Sequence, residues 1–87
     1  MDVVYKHSFV KQFKKLPPDL QKEVLEKIEL FKTPNNHKTL LKVHKLKGDL
    51  SGLLSFSVNY RFRIVFEWKV LNKSASLITV GDHGVYR

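Results

Sequence analysis

The sequence predicts an α+β domain. Two N-terminal helices, packed as a hairpin, cover a small, mainly antiparallel four-stranded sheet in the order β-α-α-β-β-β. Three observations carry this. Apolar residues recur at helical spacing up to Phe31, and from Tyr60 to Val70 they alternate at a spacing of two. Between the halves lies a breaker, Thr33-Pro34-Asn35-Asn36, and the later links are short enough for hairpins. With 87 residues there is room for one core, so 1–87 reads as a single domain.

Taken in order, Val3-Val4-Tyr5 is a short first strand. Ser8 is a plausible N-cap for a helix with Phe9, Val10, Phe13 and Leu16 on one side and Lys11, Lys14 and Lys15 on the other. Pro17-Pro18 stops that helix. Pro18 suits the first turn of the next one, where a missing N–H costs nothing, and Asp19 suits its positive end. Leu20, Val24, Ile28 and Phe31, with Leu25 beside them, then make an amphipathic stripe. Leu53 to Val58 reads as the second strand, with a tight turn at Asn59. Tyr60 to Val70 alternates strictly, placing Tyr60, Phe62, Ile64, Phe66, Trp68 and Val70 on a face toward the helices and Arg61 and Arg63 on an open face. Asn72-Lys73-Ser74 turns into a last strand, Ala75 to Val80, which runs into Gly81.

Composition narrows the class of function. Sixteen Lys and Arg against eight Asp and Glu give a net charge of +8, which favours a polyanion as partner or substrate. The charge is concentrated: residues 33–66 hold six bases and the single acid Asp49. The sequence has no cysteine, hence no disulfide framework or thiolate metal site. It has no apolar run approaching the roughly 20 residues that span a bilayer, and no secretory leader, so the expected compartment is cytoplasmic with no membrane partner. Metal-ligand spacings, glycine-rich phosphate loops and nucleotide motifs are missing as well, so the expected cofactor is none and the expected metal is none.

Three pieces carry chemistry. One is the basic segment Val43 to Gly52, with His44 at its head. Another is Arg61-Phe62-Arg63, and the third is the ending Gly81-Asp82-His83-Gly84-Val85-Tyr86-Arg87. Cleaving RNA without a metal needs a base for the 2′-OH proton, a cation for charge developing on phosphorus, and an acid for the 5′-oxygen. Two histidines, His44 and His83, flanking Arg63 answer all three needs. An exposed aromatic such as Tyr86 can hold a base by stacking.

The order of elements and these residues together resemble the RelE/ParE superfamily, the bacterial and archaeal toxins of type II toxin–antitoxin modules. The resemblance spans essentially the whole chain. It rests on Tyr5-Lys6-His7-Ser8-Phe9, Phe13-Lys14-Lys15-Leu16-Pro17, Leu46-Lys47-Gly48 with Leu50-Ser51-Gly52, Tyr60 to Phe66, and Gly81-Asp82-His83. The chain looks most like the RelE, YafQ and YoeB ribonucleases, which cut messenger RNA in the ribosomal A site. That resemblance implies His44 as base, Arg63 as stabiliser of the phosphorane-like transition state, and His83 as acid or charge stabiliser. It also implies Tyr86 as the aromatic that orients the nucleotide. Lys45, Lys47, Arg61 and Arg87 are the expected phosphate-binding cations. Ser57 stands where YafQ-like members carry a second histidine. The implied partners are the ribosome, mRNA and an acidic cognate antitoxin, with operator DNA as a target of the toxin–antitoxin complex.

Other readings compete. A ParE-like toxin that inhibits DNA gyrase has the same fold without the acid–base set, and a degenerate toxin would retain only antitoxin binding. Arg63 has a purely structural alternative in Glu67, four residues on and on the same strand face. His7 and His37 read as structural or solvent-exposed, and Phe62 and Trp68 as core.

Overall fold

The computed structural model describes residues 1–71 and 73–82. Along the chain run β1 (Asp2–Tyr5), α1 (His7–Lys14), α2 (Pro18–Phe31), α3 (Asn36–Thr39) and β2 (His44–Lys45). A 3₁₀ turn (Gly48–Leu50) leads to β3 (Leu54–Ser57), β4 (Phe62–Lys69) and β5 (Ser74–Asp82). The strands form one mixed five-stranded sheet in the order β1-β5-β4-β3-β2. β1 runs parallel to β5 and the other pairings are antiparallel.

This corrects the expected four-stranded sheet. The additional strand, β2, has two residues, His44 opposite Ser55 and Lys45 opposite Leu54, too short to show any periodicity. The helices also differ from the expected tight hairpin. α1 packs mainly on β5 rather than on α2, and Gln21 Nε2 ties it to α2 by donating to the Phe13 carbonyl at 3.1 Å.

Ser8 is not the cap of α1. The helix starts at His7, two residues earlier than a Ser8 cap implies, with Lys6 in the capping position, and the Ser8 hydroxyl donates to the carbonyl of Ile78. Ile78 is the extra residue of a bulge, since Val65 faces Thr79 while Phe66 faces Leu77. The bulge lets both Leu77 and Val80 face the core. α2 begins as expected, with Pro18 and Asp19 in its first turn, and it buries Val24, Ile28 and Phe31 while Leu25 stays 50% exposed.

The core is aromatic at its centre. Phe31 stacks on Phe56 (centroids 4.2 Å apart) and meets Phe66 edge-on at 4.8 Å. His37 stacks on the other side of Phe31 at 4.7 Å, and its Nε2 bonds to the Phe31 carbonyl at 2.7 Å, a structural task. Phe62 packs against this core, whereas Trp68 lies at its margin, 36% exposed. All the buried apolar side chains of the cluster lie between helices and sheet. The opposite sheet face carries His44, Ser55, Ser57, Arg63, Val65, Thr79 and Gly81, because residues paired across strands point the same way.

Candidate active site

Register builds the site. His44, Ser55, Val65 and Thr79 form one cross-strand row, and Ser57, Arg63 and Gly81 form the next. With strands ~4.8 Å apart and a rise of ~3.4 Å per residue, the Cα atoms of His44 and Arg63 lie roughly 12 Å apart on the helix-free face. Two long side chains can close on a phosphodiester across that gap. Arg63 has room to lie on the sheet because its two cross-strand neighbours, Ser57 and Gly81, are small. Its guanidinium leans toward β3, donating from a terminal nitrogen to Ser57 Oγ at 2.7 Å, and so toward the His44 edge.

The structural alternative for Arg63 is not what forms. Glu67 pairs with Lys69 at 2.9 Å, and Arg63 makes no ion pair among the described residues. The Lys69 hydrogen bond and charge hold the Glu67 carboxyl below its ordinary pKa.

His44 is exposed, yet its ring is oriented. Nδ1 lies 3.0 Å from the Lys42 carbonyl. A carbonyl can only accept, so in the neutral ring Nδ1 carries the hydrogen and Nε2 holds the lone pair. Nε2 faces the Ser55 hydroxyl at a long 3.4 Å, leaving it weakly engaged. The tautomer is therefore that of a proton acceptor. Lys42 itself has φ +52°, a left-handed backbone that costs a non-glycine residue about 1 kcal/mol. Just before it, the Leu41 carbonyl accepts the Ser57 N–H at 2.8 Å, so the chain is pinned beside β3 where β2 ends.

Beside Arg63 opens a cleft of about 270 Å³ lined by Lys27, Leu40, Lys42, Ser57, Val58, Asn59, Tyr60 and Arg63. Among the described residues it holds three cations and no carboxylate. Two larger depressions, of about 530 and 490 Å³, lie along α2 and carry Asp19, Glu23, Glu26 and Glu29. They contain neither histidine nor arginine, and their acids disfavour an anionic ligand. Among the described residues no group of three or more His, Asp or Glu side chains is placed to hold a metal ion.

The expected cations are not brought together. Lys45 pairs with Leu54 and so points to the opposite face from His44, at the sheet edge. Lys47 is exposed ahead of the 3₁₀ turn. Arg61 lies in the turn before β4 rather than on the open strand face, with its guanidinium 5.5 Å from the Phe62 ring centre. His83, Tyr86 and Arg87 lie outside the described residues. Sequence reasoning missed Lys27, Lys42 and the Ser57 contact. Only cross-strand register and the path of the 40–43 segment place them here.

No family model matches the sequence, and no curated protein does. Solved structures do match in fold. The toxin–antitoxin complex RelBE2 of Mycobacterium tuberculosis superposes with a TM-score of 0.76 at 18% identity, covering 94% of this chain and 90% of that one. The RelE–RelB complex of Pyrococcus horikoshii gives 0.75 at 18%, covering 97% and 96%. The YoeB dimer of Staphylococcus aureus gives 0.72 at 16%, covering 95% and 97%. Over nearly its whole length, then, the chain has the fold of the RelE- and YoeB-type toxins.

Proposed function

We propose that this protein is the toxin of a type II toxin–antitoxin system, a ribosome-dependent endoribonuclease that cleaves mRNA in the A site by acid–base catalysis without a metal. The observation that carries the reading is the pairing of His44 with Arg63 on the helix-free face. His44 presents an oriented lone pair at Nε2, and Arg63, which makes no ion pair among the described residues, is steered by Ser57.

In this mechanism His44 Nε2 takes the proton of the 2′-OH, and the oxygen attacks the adjacent phosphorus. Arg63 meets the charge that develops on the phosphoryl oxygens, and removing such a group costs about 10²–10³ in rate. The 5′-oxygen leaves as it is protonated, a role assigned to His83. The products are a 2′,3′-cyclic phosphate and a 5′-hydroxyl. Tyr86 holds the nucleotide, and Lys45, Lys47, Arg61 and Arg87 bind flanking phosphates of mRNA or ribosomal RNA.

The solved neighbours include complexes with RelB and YefM antitoxins, which supports an antitoxin as partner here. The basic surface of this chain calls for an acidic one, and the complex is expected to bind operator DNA. No helix among the described residues is long and apolar enough to cross a membrane, in keeping with action on cytoplasmic ribosomes.

Primer extension on mRNA in programmed ribosomes tests the reading. Wild type is expected to cut within the A-site codon, with cutting lost in folded His44→Ala and Arg63→Ala variants. Wild-type cutting rates in both variants would remove the assigned site. Gyrase inhibition with intact mRNA would replace the nuclease with a gyrase poison.

A further inference from the structure

The β3–β4 turn carries an aromatic residue that the steps above do not use. Tyr60 is 91% exposed, although an aromatic side chain has a large apolar surface to bury. It lines the same cleft as Arg63, Ser57, Lys27 and Lys42. The backbone beneath it is fixed. Asn59 Oδ1 accepts the N–H groups of Arg61 and Phe62 at 2.9 and 2.8 Å, and Asn59 Nδ2 donates to Glu23 Oε1 on α2 at 2.6 Å. The Val58 N–H donates to the Phe62 carbonyl at 2.9 Å. Tyr60 thus stands on a turn clamped to a helix, whose backbone is ordered before anything binds.

The ligand class follows from the lining. Three cations with no carboxylate among the described lining residues call for a polyanion, and a planar ring at the rim calls for a partner with planar faces. At about 270 Å³ the cleft lies near the lower end of ligand sites, which run from roughly 300 Å³. It suits one nucleotide unit rather than a duplex. We propose that Tyr60 is the stacking platform for one base of single-stranded RNA, with Lys27 and Lys42 on the neighbouring phosphates. Tyr60 is thereby a positioning residue that sets which phosphodiester lies against Arg63. This rests on the nuclease reading and adds to it a binding subsite on the turn.

The test uses a short single-stranded RNA carrying 2-aminopurine, titrated by fluorescence into wild type, Tyr60→Phe and Tyr60→Ala. Cleavage in programmed ribosomes is measured on the same preparations. Tyr60→Phe keeps the ring and is expected to bind and quench as wild type does. Tyr60→Ala is expected to lose the quenching and to bind about 5- to 150-fold more weakly, the range for one lost base stack. The change should appear in KM more than in kcat, and the melting temperature is measured alongside to establish that each variant is folded. Wild-type affinity and quenching in Tyr60→Ala, with cleavage intact, would overturn the stacking platform and leave the nuclease standing. A wild type that neither binds nor cuts RNA, but binds an acidic peptide through Lys27 and Lys42, would overturn both.

Discussion

Replacing Asn59 with alanine removes one side chain that makes three hydrogen bonds: two accepted from the turn backbone and one donated to a carboxylate. Neutral hydrogen bonds contribute about 1 kcal/mol net, and those to charged groups about 1.5–3 kcal/mol. The plain sum is about 4 kcal/mol. Water can replace part of it, because Tyr60 and Arg61 in the turn are exposed, which leaves an expected loss of about 2–3 kcal/mol. For a domain of this size that corresponds to a melting temperature lower by about 10–20 °C. Urea and thermal unfolding followed by circular dichroism measure it. A double-mutant cycle with Glu23→Ala isolates the contact from turn to helix and should show a coupling of about 1–2 kcal/mol. A loss under about 0.5 kcal/mol, or strict additivity in the cycle, would refute the clamp and with it the premise that Tyr60 stands on a fixed backbone.

Lys42→Gly relieves the left-handed backbone and should raise stability by up to about 1 kcal/mol. The same variant should weaken RNA binding and flatten its salt dependence by about 0.7 in log–log slope, one phosphate contact on a single strand. Phe31→Ala empties the centre of the aromatic cluster and should cost about 3–5 kcal/mol in urea unfolding. Glu67 has a folded-state pKa below its ordinary value, so its small stabilising contribution is complete above the ordinary value and is lost as pH falls through the folded one. Glu67→Gln should therefore reduce the acid dependence of stability slightly, and 1 M salt should erase the difference.

Patterns long enough to repeat were legible in the sequence. The alternation from Tyr60 to Val70 located β4, which runs from Phe62 to Lys69, and put Arg63 on the face away from the core, and the proline–aspartate pair located the start of α2. Features fixed by partners far along the chain were not. β2 exists because His44 and Lys45 find Ser55 and Leu54. Ser8 has the chemistry of a cap, but an acceptor 70 residues away takes its hydroxyl. Gly81 looked like the end of a strand and is instead a buried strand residue whose missing side chain leaves space beside Arg63. In the candidate site, residue types were readable, and facing was readable for Arg63 but not for the cations around it. Lys45 lies on the opposite face of the sheet edge from His44, and Arg61 lies in the turn before β4 rather than on the strand.

The parallel pairing of β1 with β5 has a consequence for synthesis. Residues 2–5 find their partners only at residues 74–77, and β5 must slot between β1 and β4. During translation β1 emerges early and waits, because the strand that completes its sheet is made after every other described element. Contacts of such long sequence separation form slowly and late. Arg63 likewise lacks its neighbour Gly81 until then. A nascent chain thus lacks the finished sheet face that carries His44 and Arg63 until β5 has been delivered.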